Sequence, residues 1–383
     1  MLEMDYRRRL NGLQTKMEEQ EIDVAVFGSC QNFQYLTGLL TEWRRGVDLQ
    51  SPVNNVYVPK SGEPILTVGG MGARAAEECW IKDVRPLERG ANYGDVVAKI
   101  AEDLNWSEGR VAVGDHLWGS TMIEVARHFK GGKFRNGKDL MNELRMIKEP
   151  AEIELLRKVG KLTDDVMEKI ISGIKEGDTQ KDLQIEIEMT GRKMGAKDIS
   201  FGPTAGFVKS GSEPTENPFT YPRDKGLVPG TSIAFDIGFV MDGYCSDWGR
   251  SMYYGPASEH VKKGYEELMQ SVVTTVDKMA EGSMRVNDIF PSIEVYLDSV
   301  GYGDYLRNRL KTGSVGHQIG VEVHENPWLN PNETQELKAG MIMCLEPKLL
   351  HYGEYYLRVE DMVLVKENGA EFLTNYDREQ FLL

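Results

Sequence analysis

Residues 233–247 read Ile233-Ala234-Phe235-Asp236-Ile237-Gly238-Phe239-Val240, then Met241-Asp242-Gly243, then Tyr244-Cys245-Ser246-Asp247. An apolar run, a turn-forming tripeptide and a resumed run make a β-hairpin. Centred between Met241 and Asp242, it sets Asp236 opposite Asp247, on one face with Cβ atoms roughly 5 Å apart. Two carboxylates so placed repel each other, and a divalent cation between them removes the conflict.

The pattern returns near the C-terminus. Ile342-Met343-Cys344-Leu345-Glu346 and Tyr356-Leu357-Arg358-Val359-Glu360 flank Gly353. A hairpin centred on that glycine sets Glu346 opposite Glu360. Four acids are too much charge for one site without metal, and suit two cations about 3.5–4 Å apart. His317, in Gly316-His317-Gln318-Ile319-Gly320, adds an imidazole. Imidazole beside carboxylates fits Mn, Fe, Co or Zn better than Ca.

Working outward, Pro150-Ala151-Glu152-Ile153-Glu154 is a helix start, with proline in the first turn and acids against the dipole. Ile153, Leu156, Val159, Leu162, Val166 and Ile170 follow at helical spacing. A domain boundary is placed here, giving residues 1–148 and 149–383. Before it, strands at 22–28, 56–58, 65–68 and 111–114 alternate with helices at 93–104 and 122–129, an α/β pattern. After it come a helix following Thr179, strands from about Ile199, helices from His260 and Asn287, and strands from Gly313. Helices beside a mostly antiparallel sheet make an α+β domain.

At 383 residues the chain has room for two cores. Its formal charge of −15 counts against nucleic acid or an anionic membrane as partner. Four scattered cysteines, Cys30, Cys79, Cys245 and Cys344, without CxxC spacing, read as reduced thiols of a cytoplasmic protein. No run is long enough for a membrane span, and the N-terminus lacks the apolar core of a signal peptide.

The stretches Phe235-Asp236-Ile237-Gly238, Gly243-Tyr244-Cys245-Ser246-Asp247 with Arg250, Gly316 to Gly320, Val323-His324-Glu325-Asn326-Pro327, Leu345-Glu346-Pro347 and Arg358-Val359-Glu360-Asp361 resemble the pita-bread metallopeptidases and creatinases. Asn32-Phe33-Gln34-Tyr35-Leu36-Thr37-Gly38 and Leu144-Arg145-Met146-Ile147-Lys148 resemble the amino-terminal domain and link of the prolidase and creatinase members. The resemblance implies an α+β, pita-bread C-terminal catalytic domain preceded by a smaller α/β creatinase-type N-terminal domain, commonly as a homodimer. It implies two divalent metal ions (Mn, Co, Zn or Fe). Asp236 would bind one, Asp247 and Glu360 would bridge both, and His317 and Glu346 would complete the other. Glu346 would shuttle protons for a metal-activated hydroxide, His324 would touch the substrate, and Arg358 would hold a carboxylate in place.

One feature of the resemblance is missing. Peptidases of this fold carry a histidine shortly before the first aspartate strand; counting back from Gly230, that position is Phe219. Phenylalanine can donate neither proton nor hydrogen bond. Phe219, Tyr221, Tyr244 and Trp248 read either as core aromatics or as an aromatic pocket for an apolar or cationic molecule. Three functions follow. The first is an Xaa-Pro dipeptidase or aminopeptidase acting on short peptides. The second is a small-molecule C–N hydrolase or lyase of the same fold, and the third a binding protein that has lost turnover.

Overall fold

The structure, a computed structural model, describes residues 3–41, 43–45, 52–70, 72–280 and 284–383. The chain divides into two compact units, Glu3–Arg145 and Met146–Leu383.

The first unit holds α1 (Tyr6–Glu19), β1 (Val24–Gly28), α2 (Gln31–Thr37), β2 (Asn55–Pro59), β3 (Ile65–Val68), α3 (Gly72–Glu78), β4 (Asp83–Pro86), α4 (Tyr93–Asp103), β5 (Gly109–Val113), α5 (Gly119–His128) and β6 (Gly132–Asn136). Its six-stranded sheet runs β4-β3-β2-β1-β5-β6. β1 pairs antiparallel with β2 and parallel with β5, so hairpin and crossover connections meet in one sheet. β1 is buried along its whole length, as the unbroken apolar run Val24-Ala25-Val26-Phe27 requires. A short helix, α6 (Asn142–Met146), leads out.

In the second unit, α7 (Pro150–Ile171) opens with proline in its first turn, and the Glu149 amide donates to Glu152 Oε2 at 2.9 Å. Its Leu156, Val159, Val166 and Ile170 are buried. Each such side chain contributes about 1.5–3 kcal/mol by leaving water. The stripe packs against α8 (Gln180–Met194), capped by Thr179, and against the strands that follow. These are β7 (Asp198–Ile199), β8 (Thr204–Lys209), β9 (Thr231–Ile237), β10 (Phe239–Met241), β11 (Tyr244–Cys245) and β12 (Trp248–Tyr254). Next come α9 (Glu259–Ala280), α10 (Ile289–Ser299) and α11 (Gly303–Arg309), then β13 (Gly316–Gln318), β14 (Glu325–Trp328), β15 (Ile342–Leu345), β16 (Lys348–His351), β17 (Tyr355–Arg358), β18 (Asp361–Lys366) and β19 (Gly369–Phe372). β8, β9 and β12 form one antiparallel sheet, β14-β13-β15-β18-β19 forms another, and β16 and β17 pair as a separate two-stranded sheet. The helices pack with these strands around two cores, the α+β arrangement expected. No helix among the described residues is long and apolar enough to cross a membrane.

The register of the first hairpin differs from expectation. Trp248 pairs with Ile237 and Gly249 with Asp236, so Asp236 faces Gly249 rather than Asp247. The cause is the turn: Asp242 (φ 47) and Gly243 (φ 84) both lie in the left-handed region, as the two central residues of a type I′ turn must. The hairpin is therefore centred between Asp242 and Gly243, which shifts every partner by two positions. A shift of two leaves each side chain on its original face. The second hairpin keeps the expected register: Lys348 pairs with Arg358 and Leu345 with Asp361, which sets Glu346 opposite Glu360.

Candidate metal centre

A single row of residues crosses both sheets. Thr204 pairs with Asp236, Asp236 with Gly249, and Gly249 bridges to Glu360, which stands opposite Glu346. The bridge runs both ways: the Glu360 amide donates to Gly249 O at 2.8 Å and the Gly249 amide to Glu360 O at 3.3 Å. Only glycine fits there, because a Cβ on Gly249 would lie 2.7 Å from Arg358 Cδ and 2.8 Å from Glu360 Cβ. Beneath the row, buried Arg250 donates to Gly249 O and Glu360 O, each at 2.8 Å, and pairs with Asp361 at 2.6 Å. Thr374 donates to that same aspartate oxygen at 2.8 Å.

On the upper face, Asp247, His317, Cys344 and Glu360 present donor atoms that all lie within 4.8 Å of one another. All four are buried. His317 Nε2 is 3.4 Å from Asp247 Oδ2, while its Nδ1 donates to Gln318 O at 3.0 Å. That bond fixes the ring and leaves Nε2 free as a ligand. Asp247 Oδ1 and Glu360 Oε2 are buried without any hydrogen-bond partner. Burial, then the neighbouring Asp236 and Glu346, pushes Asp247 well above the usual carboxylate range. Glu360 is raised likewise, by burial and then by Asp247. Unsatisfied, mutually repelling buried carboxylates beside an oriented imidazole fit a divalent cation, which meets both costs at once.

Asp236 and Glu346 are half-buried at the edge of this cluster. Arg358 pairs with Asp236 and reaches Glu346 Oε2 at 3.3 Å and Glu360 Oε2 at 3.8 Å. Lys348 pairs with Glu346. Burial works to raise Glu346, but Lys348 and Arg358 outweigh it and hold the carboxyl at about 2. Exposed His324 stacks on Trp328, with centroids 5.1 Å apart, and meets the His317 ring edge-on at 4.5 Å. Desolvation and then His317 hold its imidazole below the ordinary value.

Of the two readings of the four aromatics, core and pocket, the core one describes all but Phe219. Trp248 is fully buried, donates to Asp164 at 3.1 Å and packs edge-on against Tyr376. Standing between Asp247 and Gly249, it points to the opposite face of its strand. Tyr244 is buried with its hydroxyl on Glu152 at 3.0 Å. Tyr221 commits its hydroxyl to Gly226 O at 2.7 Å and its ring to Phe207. Phe219 is the exception: it is 36% exposed and rests edge-on against Tyr356 at 5.0 Å, two residues before Arg358.

Two members of the constellation have no place in the site as read from sequence: Cys344, read there as a reduced thiol, and Lys348. Both are two residues from Glu346, hence on its face of the strand, and that period-two spacing is the signal that could have found them.

Residues 154–367 match the model of metallopeptidase family M24, and residues 9–147 match the creatinase/prolidase N-terminal domain. A candidate dipeptidase of Bacillus subtilis, YkvY, is 27% identical over 377 residues, 98% of this chain and 99% of that protein. The crystal structure of a prolidase from Thermococcus sibiricus superposes with a TM-score of 0.84 at 26% identity, covering 100% of both chains. A dipeptidase from Pyrococcus horikoshii OT3 gives 0.84 at 25% identity, over 98% of this chain and 100% of its own. The chain thus belongs to metallopeptidase family M24, as a metallohydrolase of pita-bread fold behind a creatinase/prolidase-type N-terminal domain.

Proposed function

We propose that the chain is an Xaa-Pro dipeptidase or aminopeptidase for short peptides, with two divalent cations (Mn, Co, Zn or Fe) held by Asp236, Asp247, His317, Glu346 and Glu360. The observation that carries this reading is the pair of buried oxygens without a hydrogen bond, Asp247 Oδ1 and Glu360 Oε2, beside His317. Likeness to a prolidase along the whole chain supports the substrate class.

When bound, the cations supply Lewis acidity to the attacking water and the scissile carbonyl. The chain's own groups do the rest. Asp247 and Glu360, each buried with one oxygen lacking a hydrogen bond, would hold the cations. Glu346, paired with Lys348 and Arg358, accepts a proton from the attacking water and returns it to the leaving amine. Arg358 holds Asp236 and Glu346 in place. His324, exposed beside His317, offers a hydrogen bond to the bound substrate or its developing oxyanion.

Phe219 favours a second reading, a small-molecule C–N hydrolase or lyase, because its ring replaces a proton donor with an apolar wall continuous with Tyr356. Elemental analysis of the purified chain, coupled to Gly-Pro and Ala-Pro hydrolysis with added Mn or Co, separates the two. Two metals per chain with cleavage supports the peptidase. Two metals without cleavage moves the assignment to the small-molecule enzyme, and absence of metal sinks both.

A further inference from the structure

Cys344 is the residue that neither the five-ligand set nor the proposed reaction uses. It stands on β15 directly across from His317 on β13, and across from Met362 on β18, with no exposure to solvent. Its Sγ lies within 4.8 Å of donor atoms of Asp247, His317 and Glu360. Ligand atoms at about 2.0–2.3 Å from one ion can stand no more than about 4.6 Å apart, so this cluster is close to the size of one coordination sphere. Two of its oxygens, Asp247 Oδ1 and Glu360 Oε2, are buried without a hydrogen bond.

We infer that Cys344 Sγ is a ligand to the cation gathered by Asp247, His317 and Glu360, giving that ion a mixed imidazole, carboxylate and thiolate sphere. The inference rests on the metal-site reading above and extends it. On binding, one sulfur–metal bond forms and the Sγ–H proton passes to solvent, so no oxidant or reductant is required. A thiolate selects borderline and soft ions, Zn and Co over Mn. The two ions proposed for this centre are then inequivalent: one prefers Zn or Co, and the other, held by Asp236, sees only oxygen.

The test is Co(II) titration of the metal-free full chain, read by absorption. Visible d–d bands report an ion in the site, and a near-ultraviolet sulfur-to-cobalt charge-transfer band reports the thiolate. The expected result is both bands in the wild type, with the charge-transfer band lost and the d–d bands kept in Cys344→Ser. The other cysteines, Cys30, Cys79 and Cys245, are unchanged in that variant. Retention of the charge-transfer band in Cys344→Ser overturns the inference, as do d–d bands alone in the wild type, which leave the metal site standing. No d–d bands at all removes the site and the inference together. Should Cys344→Ser fail to fold, cobalt X-ray absorption of the wild type decides: a sulfur shell at about 2.3 Å supports the assignment, and nitrogen and oxygen shells only refute it.

Discussion

His317 on β13 lies 3.4 Å from Asp247, in the link between β11 and β12, so this contact of the centre joins segments far apart in sequence. Asp247→Ala removes one of the two buried carboxylates that keep an oxygen without a hydrogen bond. The variant should lose bound metal and turnover together, with the fold retained in circular dichroism because a buried carboxylate repelled by Asp236 and Glu346 has gone. Stoichiometric metal and retained activity in that variant would sink the bridging role.

Glu346→Gln keeps shape and removes proton acceptance. The expected change is a fall in kcat of about 10²–10⁴ with KM within a few-fold, measured on whichever substrate is turned over. An equal rise in KM at constant kcat would make Glu346 a binding group instead.

Phe219→His places a donor where its ring now meets Tyr356. If the missing histidine is what limits peptide cleavage, Gly-Pro hydrolysis should rise about tenfold or more. No change would show that Phe219 has no bearing on leaving-group chemistry.

Asp164 on α7 accepts from the amides of Asn375 and Tyr376 at 2.6 and 3.1 Å and from Trp248 at 3.1 Å. Burial outweighs these bonds and pushes its carboxyl from 3.8 up to about 6. Because the folded value is raised, its contribution to stability is full below pH about 4 and is lost as pH rises through about 6. The stability of wild type relative to Asp164→Asn should therefore grow as pH falls from 6 to 4. Denaturation midpoints across that range check this, and a constant difference would refute it.

Much of this was legible in the linear sequence, for identifiable reasons. The Pro150 start and the stripe from Leu156 to Ile170 specify α7 because cap chemistry and periodicity agree. Gly353 centres its hairpin correctly, so Glu346 and Glu360 were paired by counting. The other hairpin was centred one residue early because Asp242, a non-glycine at φ 47, was not recognised as half of a type I′ turn. The carboxylates still shared a face because the resulting error was even. For Trp248, open in the sequence between core and pocket, the odd offset from Asp247 decides for the core. The clustering of Cys344 with Asp247 depends on contact between separate sheets, which no local pattern encodes.

The two-way backbone bridge between Gly249 and Glu360 carries a mechanical consequence. The donors divide about it: Asp236 on β9 and Asp247 just before β12 on one side, and His317 on β13, Glu346 just after β15 and Glu360 just before β18 on the other. A cation spanning them is a clasp across a seam. Its binding energy opposes separation of the layers rather than unfolding of either one. Chelation should then loosen amide exchange first along the Gly249–Glu360 seam and leave the turns at Gly243 and Gly353 as protected as before. Activity and the cohesion of the catalytic unit would be lost to the same reagent, but in two separable steps.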